Sequence, residues 1–190
     1  MNNYGEKSLF GFWLYILSDC MLFASLFAVF AVLRGQTYGG ITNSGVLNLP
    51  FLLAETLILL TSSYTMGLAV VVASNAKKNK TLLYVFLFIT LFLGLTFLGM
   101  EGYEFHSLIA EGNTPARSAF LSSFFTLVGT HGLHVFVGIL WMVALMMYTY
   151  RQGLTEGNVR KLKMLALFWH FLDIIWIFIF SIVYLLTSAL

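Results

Sequence analysis

The sequence predicts an all-α polytopic membrane protein with five transmembrane helices, and three observations carry that prediction. Of 190 residues, 59% are hydrophobic and 9% charged, with a mean hydropathy of +0.89; soluble domains carry roughly a quarter charged residues. The apolar residues gather into five blocks, roughly 9–34, 50–76, 81–110, 118–150 and 162–188, each at or above the ~20 residues that cross a hydrocarbon core. The blocks are continuous, whereas barrel strands alternate over segments of about ten residues. The whole chain, 1–190, reads as one transmembrane helical domain, and its composition argues against a nucleic-acid partner.

The first block follows a short polar start, MNNYGEKS, with no soluble domain expected before it. It is too long for a signal-peptide core and lacks a small-residue cleavage pattern, so it is read as a retained helix. Its Cys20 is the chain's one cysteine, which excludes an internal disulfide and suggests a small buried hydrophobe. Asp19 lies about ten residues in, near mid-membrane, either as a neutral hydrogen-bonded carboxyl or as part of a proton path. No ladder of acids follows it.

The connection RGQTYGGITNSGVLNLP is the longest, and Pro50 suits the first turn of the second helix. Glu55 sits just beyond it, near the outer interface; Ser62, Ser63 and Thr65 follow, as hydroxyls that bond their own backbone or reach across helices. After NAKKNK, the third block carries Gly94 and Gly99 and closes on GMEGYEFHS, where Glu101 and Glu104 are expected as solvated charge near the outer surface. A paired-carboxylate hydrolase is the sharper alternative, without a recognisable substrate pocket.

Past a turn around EGNTPARS, the fourth block holds HGLHVFVGILW (131 to 141), with Gly129, Gly132 and Gly138 permitting close helix approach. A polar hairpin, RQGLTEGNVRKLK, leads to the fifth block and WHFLDIIWIFIF (169 to 180). The i, i+3 spacing puts His131 with His134, and His170 with Asp173, on one face of each helix. Two readings are open. One is a haem or zinc site, since facing helices supply bis-histidine haem ligands and zinc accepts histidine with carboxylate. The favoured one is an interhelical polar seam between the fourth and fifth helices. Trp13, Trp141, Trp169 and Trp176 are read as interface anchors and packing.

Five crossings place Lys7, Lys77, Lys78, Lys80, Arg151, Arg160, Lys161 and Lys163 on one side and only Arg34 and Arg117 on the other. The positive-inside tendency then makes the N-terminus cytoplasmic and the C-terminus periplasmic.

GFWLYILSD (11 to 19), GMEGYEFH (99 to 106), GTHGLHVFVGILW (129 to 141) and WHFLDIIWIFIF resemble, in order, subunit III of the haem-copper oxidases. The five-helix length and LPFLLAETLILLTSS (49 to 63) are similar to the bacterial cytochrome o ubiquinol oxidase branch of that family. The resemblance implies a non-catalytic subunit of a proton-pumping terminal oxidase in the bacterial inner membrane. It implies no cofactor in this chain: haems and copper belong to subunit I, which also takes ubiquinol. Subunit I is the implied principal contact, with subunits II and IV as further partners and phospholipid bound in a cleft. The subunit would support assembly and proton uptake. His131, His134, His170 and Asp173 match the pattern, in which they are not metal ligands; Asp19 stands where many relatives have glutamate, which puts a proton role in doubt. Subunit III of a cytochrome c oxidase is the alternative within the family. A small membrane transporter and a haem-binding membrane protein are the alternatives outside it.

Overall fold

A computed structural model describes residues 3–37, 49–75 and 79–185. Most of the 34–50 connection, Lys77, Lys78 and the close of the fifth block (186–188) lie outside the described residues. Five helices are long and apolar enough to cross a membrane: α1 (Asn3–Leu33), α2 (Leu49–Ser74), α3 (Lys80–Ala110), α4 (Ala119–Gln152) and α5 (Glu156–Ile179), the last continuing into a π-helical turn, Phe180–Leu185. They run uninterrupted because the two prolines stand clear of helix interiors, Pro50 in the first turn of α2 and Pro115 in the α3–α4 turn, where a missing N–H costs nothing.

Two helices start about two turns before the apolar blocks do, α1 at Asn3 and α5 at Glu156, because helix formation does not stop at the edge of the hydrocarbon. The expected hairpin between α4 and α5 contracts to residues 153–155. Gly153 turns the chain at φ 77°, where a side chain would be strained, and the Asn158 amide donates to its carbonyl at 2.7 Å. Thr155 then caps α5 by accepting from the Asn158 N–H at 3.3 Å, with Glu156 in the first turn, both favourable at a helix N-terminus. Arg160, Lys161 and Lys163 are therefore helical rather than looped.

The connection from α3 to α4, on the opposite side, is longer but also closed by local hydrogen bonds. Gly112, at φ 80°, ends α3 while the Asn113 N–H donates to the Leu108 carbonyl at 2.9 Å, a left-handed helix stop. Ser118 restarts the chain by accepting from the Leu121 N–H at 3.2 Å.

α2 packs against α3 and α5, and α4 against α1, α3 and α5. The tightest junction is at Trp169. A Cβ on Gly94 would lie 2.9 Å from its ring and one on Gly138 3.1 Å away, so the indole is clamped between α3 and α4 at a separation only glycine permits. α1 is peripheral. Its outer face exposes Phe10, Trp13, Leu14, Leu17 and Met21, and Cys20 lies on that face too, correcting the expectation that the thiol is buried.

Candidate functional site

Besides a Thr65–Thr90 hydroxyl pair between α2 and α3 at 2.8 Å, the described polar residues of the bundle interior form four local groups, each set by the register of two or three helices. Along the α2–α5 contact, the Trp169 Nε1–H donates to Ser62 Oγ at 2.7 Å, and two turns on, the Trp176 Nε1–H donates to Thr56 Oγ1 at 3.1 Å. Both indoles are fully buried, so these bonds remove donors that would otherwise be costly in hydrocarbon. Thr56 also donates to its own Leu52 carbonyl at 2.9 Å.

The second group joins the same two helices. Ser63 Oγ lies 2.6 Å from His170 Nδ1, and the same hydroxyl faces the Asp173 carboxyl. The i, i+3 pair does share a face, but that face meets α2, not α4.

The third group ties α1 to α4. His134 Nδ1 donates to the Thr130 carbonyl at 2.7 Å; a carbonyl only accepts, so Nδ1 carries the hydrogen. That leaves Nε2 facing Asp19 Oδ1 at 3.8 Å. Asp19 is thus not isolated: it faces the α4 imidazole across the α1–α4 contact. His131, one turn away, turns into an aromatic box instead, with Trp176 at 5.3 Å and 30°, Phe97 at 5.8 Å and 89°, and Phe23 at 6.4 Å between ring centroids. Neither of its ring nitrogens has a hydrogen-bond partner among the described residues. No described hydrogen bond links the α4 histidines to His170 or Asp173, so the polar contacts run from α4 to α1 and from α5 to α2 rather than along one α4–α5 seam.

The fourth group is acidic. Glu55 is fully buried and Glu101 is 3% exposed, which corrects the reading of Glu101 as solvated charge. α3 continues nine residues past Glu101, and its carboxyl rests on the α4 backbone at Gly132, where a Cβ would come within 2.5 Å of Oε1. Tyr184, from the π-helical turn, donates to Glu104 Oε2 at 3.4 Å. Glu55, Glu101, Glu104 and Tyr184 are close enough to sense one another's charge.

Sequence reading passed over Thr56, Tyr184 and the pairing of Ser62 and Ser63 with Trp169 and His170. The available signal was a Ser-Ser doublet on one helix and a Trp-His doublet on another, with a second Trp seven residues on. Among the described residues no three His, Cys, Asp or Glu side chains converge as metal ligands would.

The fold and these groups define a multi-pass helical membrane protein in which interior hydroxyls and indoles join helices, while Glu55 and His131 have no hydrogen-bond partner among the described residues. The family described as Cytochrome c oxidase subunit III matches residues 4–188, and the chain belongs to it. It is 53% identical over 184 residues to "Cytochrome bo(3) ubiquinol oxidase subunit 3" of Pseudomonas aeruginosa, covering 97% of this chain and 87% of the relative. The protein of the same name in Pseudomonas putida is 49% identical, over 96% of this chain and 87% of the relative. That of Buchnera aphidicola from Schizaphis graminum is 44% identical, over 95% and 94% respectively.

Proposed function

We propose that this chain is subunit III of a bacterial proton-pumping ubiquinol oxidase, a non-catalytic subunit that packs against subunit I and supports assembly and proton uptake. The observation that carries the reading is the near full-length similarity, at 44–53% identity, to relatives named as subunit 3 of such an oxidase. The interior chemistry is consistent with it: hydroxyls, indoles and imidazoles join helix to helix, the arrangement expected of a subunit whose work is structural. Haems, copper and the ubiquinol site belong to subunit I in this reading, with subunits II and IV as further partners and phospholipid held at the helix surfaces.

The chain resides in the bacterial inner membrane with its N-terminus cytoplasmic and its C-terminus periplasmic, since eight of its ten Lys and Arg then lie inside. Asp19, Glu55, Glu101 and Glu104 are the candidates for any proton-related role.

Affinity purification from the native membrane through a tag on this chain tests the reading. The expected product is a haem-bearing complex that oxidises ubiquinol and is lost when the chain is deleted. Recovery of the folded chain without haem-bearing partners would overturn it. A cytochrome c oxidase is the second reading, because that is the donor in the matched family's description; a dinuclear copper signal from subunit II would favour it.

A further inference from the structure

We propose that water enters the bundle between α2, α3 and the π-helical turn after α5, held by Glu104 and Tyr184 at the mouth, by Glu55 and Glu101 further in and by His131 at the inner end. The inlet opens where α3 gives way to α4, the periplasmic end in the placement proposed above.

Buried polar atoms without protein partners ask for such a ligand. Glu55 is fully buried, and neither of its carboxyl oxygens is hydrogen-bonded among the described residues. Glu101 Oε2 and both ring nitrogens of the equally buried His131 are in the same condition. These atoms come from three helices, and buried polar groups are otherwise bonded, since burial without a partner is costly. The protein does not pair them with one another. The Glu101 carboxyl rests on the α4 backbone at Gly132, and Glu55 is near enough to sense Glu101 and Glu104 without bonding to either. Among the described residues no Lys or Arg forms an ion pair there, and no three acids or histidines converge on a cation. Carboxyl oxygens and imidazole nitrogens are satisfied together by a small neutral molecule that both donates and accepts. Water, with its two to four polar partners, is that molecule.

The groups are also stepped in depth. Glu104 lies six residues before the end of α3 and Glu55 six after the start of α2, each about 9 Å in along its helix. Glu101 is about 14 Å in, and His131, twelve residues into α4, about 18 Å. The steps come from different helices, so no single helix face in the sequence shows them. Glu104 is partly exposed, which makes it the mouth. Beside it the π-helical turn Phe180–Leu185 brings the Tyr184 hydroxyl to Glu104 Oε2 at 3.4 Å; such turns recur at functional sites. The rings of Phe23, Phe97 and Trp176 surround His131 and end the path there.

X-ray radiolysis of the intact complex equilibrated in heavy-oxygen water tests the inlet, because radicals formed from bound water label the side chains that touch it. Tyr184, Trp176 and Trp169 are all fully buried, but only the first two border the inlet. Tyr184 bonds Glu104, and Trp176 stacks on His131 with its N–H on Thr56, the neighbour of Glu55. Mass spectrometry should find heavy oxygen on Tyr184 and Trp176 severalfold above Trp169. Glu55→Met removes the middle partner at similar volume and should bring Trp176 down to the Trp169 level, with Tyr184 at the mouth still labelled. Glu55→Gln keeps two polar atoms and should label as the wild type does, a comparison that stands even where Glu55→Met fails to assemble. Equal labelling of all three residues, no labelling of Trp176 in the wild-type complex, or a Glu55→Met complex labelled like the wild type would each overturn the inlet. Haem content and quinol turnover of the same preparation report separately on the oxidase reading, so a normal enzyme with an unlabelled Trp176 removes only the inlet.

Discussion

His134 Nε2 lies 3.8 Å from Asp19 Oδ1, a polar contact that fastens the peripheral α1 to the rest of the bundle. Because Nδ1 is committed to the Thr130 carbonyl, Nε2 is the nitrogen that faces the carboxyl. Asn in place of Asp19 supplies an N–H to the same Nε2, so Asp19→Asn should leave assembly and quinol oxidation nearly intact. Asp19→Leu removes every partner and should cost about 1–3 kcal/mol, the penalty of stranding a buried polar atom, read as a lower melting temperature of the purified complex. Abrupt loss of turnover in an assembled Asp19→Asn complex would instead assign the carboxyl a direct role in proton movement.

Trp169 is held by Ser62 at one edge and by the Gly94 and Gly138 backbones on its ring. A methyl at Gly94 collides with a rigid indole that cannot swing away without breaking its hydrogen bond. Gly94→Ala is therefore expected to cost about 1–3 kcal/mol as overpacking. Gly99→Ala on the same helix should be nearly neutral, since nothing lies within 4 Å of its added Cβ. Comparing the heat stability of the two variants checks the clamp; equal stability would contradict it.

The helices were legible in the sequence because spanning length and apolar composition suffice to define them. Two helix starts were not, since Thr155 and Glu156 form a polar first turn beyond the apolar block. At His131 and His134, spacing gave the right helix but not the right neighbours. Residues three apart differ by about 60° around the axis, enough for His134 to meet α1 while His131 faces Trp176 and Phe97. Glu101 misled for another reason: proximity to a helix end suggested water, but burial depends on Gly132 of α4, and sequence spacing on α3 carries no information about that.

Ser63 Oγ lies 2.6 Å from His170 Nδ1 and so ties α2 to α5. His170→Leu should weaken recovery of this chain in the complex more than it lowers turnover per haem. Ser63→Ala should do the same more mildly, at about 1–3 kcal/mol for the groups left unpaired. Quantifying the subunit ratio and the haem-normalised rate in one preparation separates assembly from chemistry. A normal ratio with a selective loss of oxygen reduction would give these residues a direct part in the reaction.

Gly132 and Glu101 offer a test in which one substitution should repair another. A Cβ at Gly132 would lie 2.5 and 2.6 Å from the two Glu101 oxygens and 2.8 Å from its Cδ, so Gly132→Ala must displace the carboxyl. The displaced group has little room, because Glu101 is buried and Glu55 and Glu104 share its surroundings. A loss of about 1–3 kcal/mol is expected, measured as thermal stability or as yield of assembled complex. Glu101→Gln keeps the same volume and should not relieve the clash. Glu101→Ser removes the colliding atoms, so Gly132→Ala combined with Glu101→Ser should be more stable than the sum of the two single effects predicts, the non-additivity that marks direct contact. Strict additivity would mean that the α3 carboxyl does not rest on the α4 backbone.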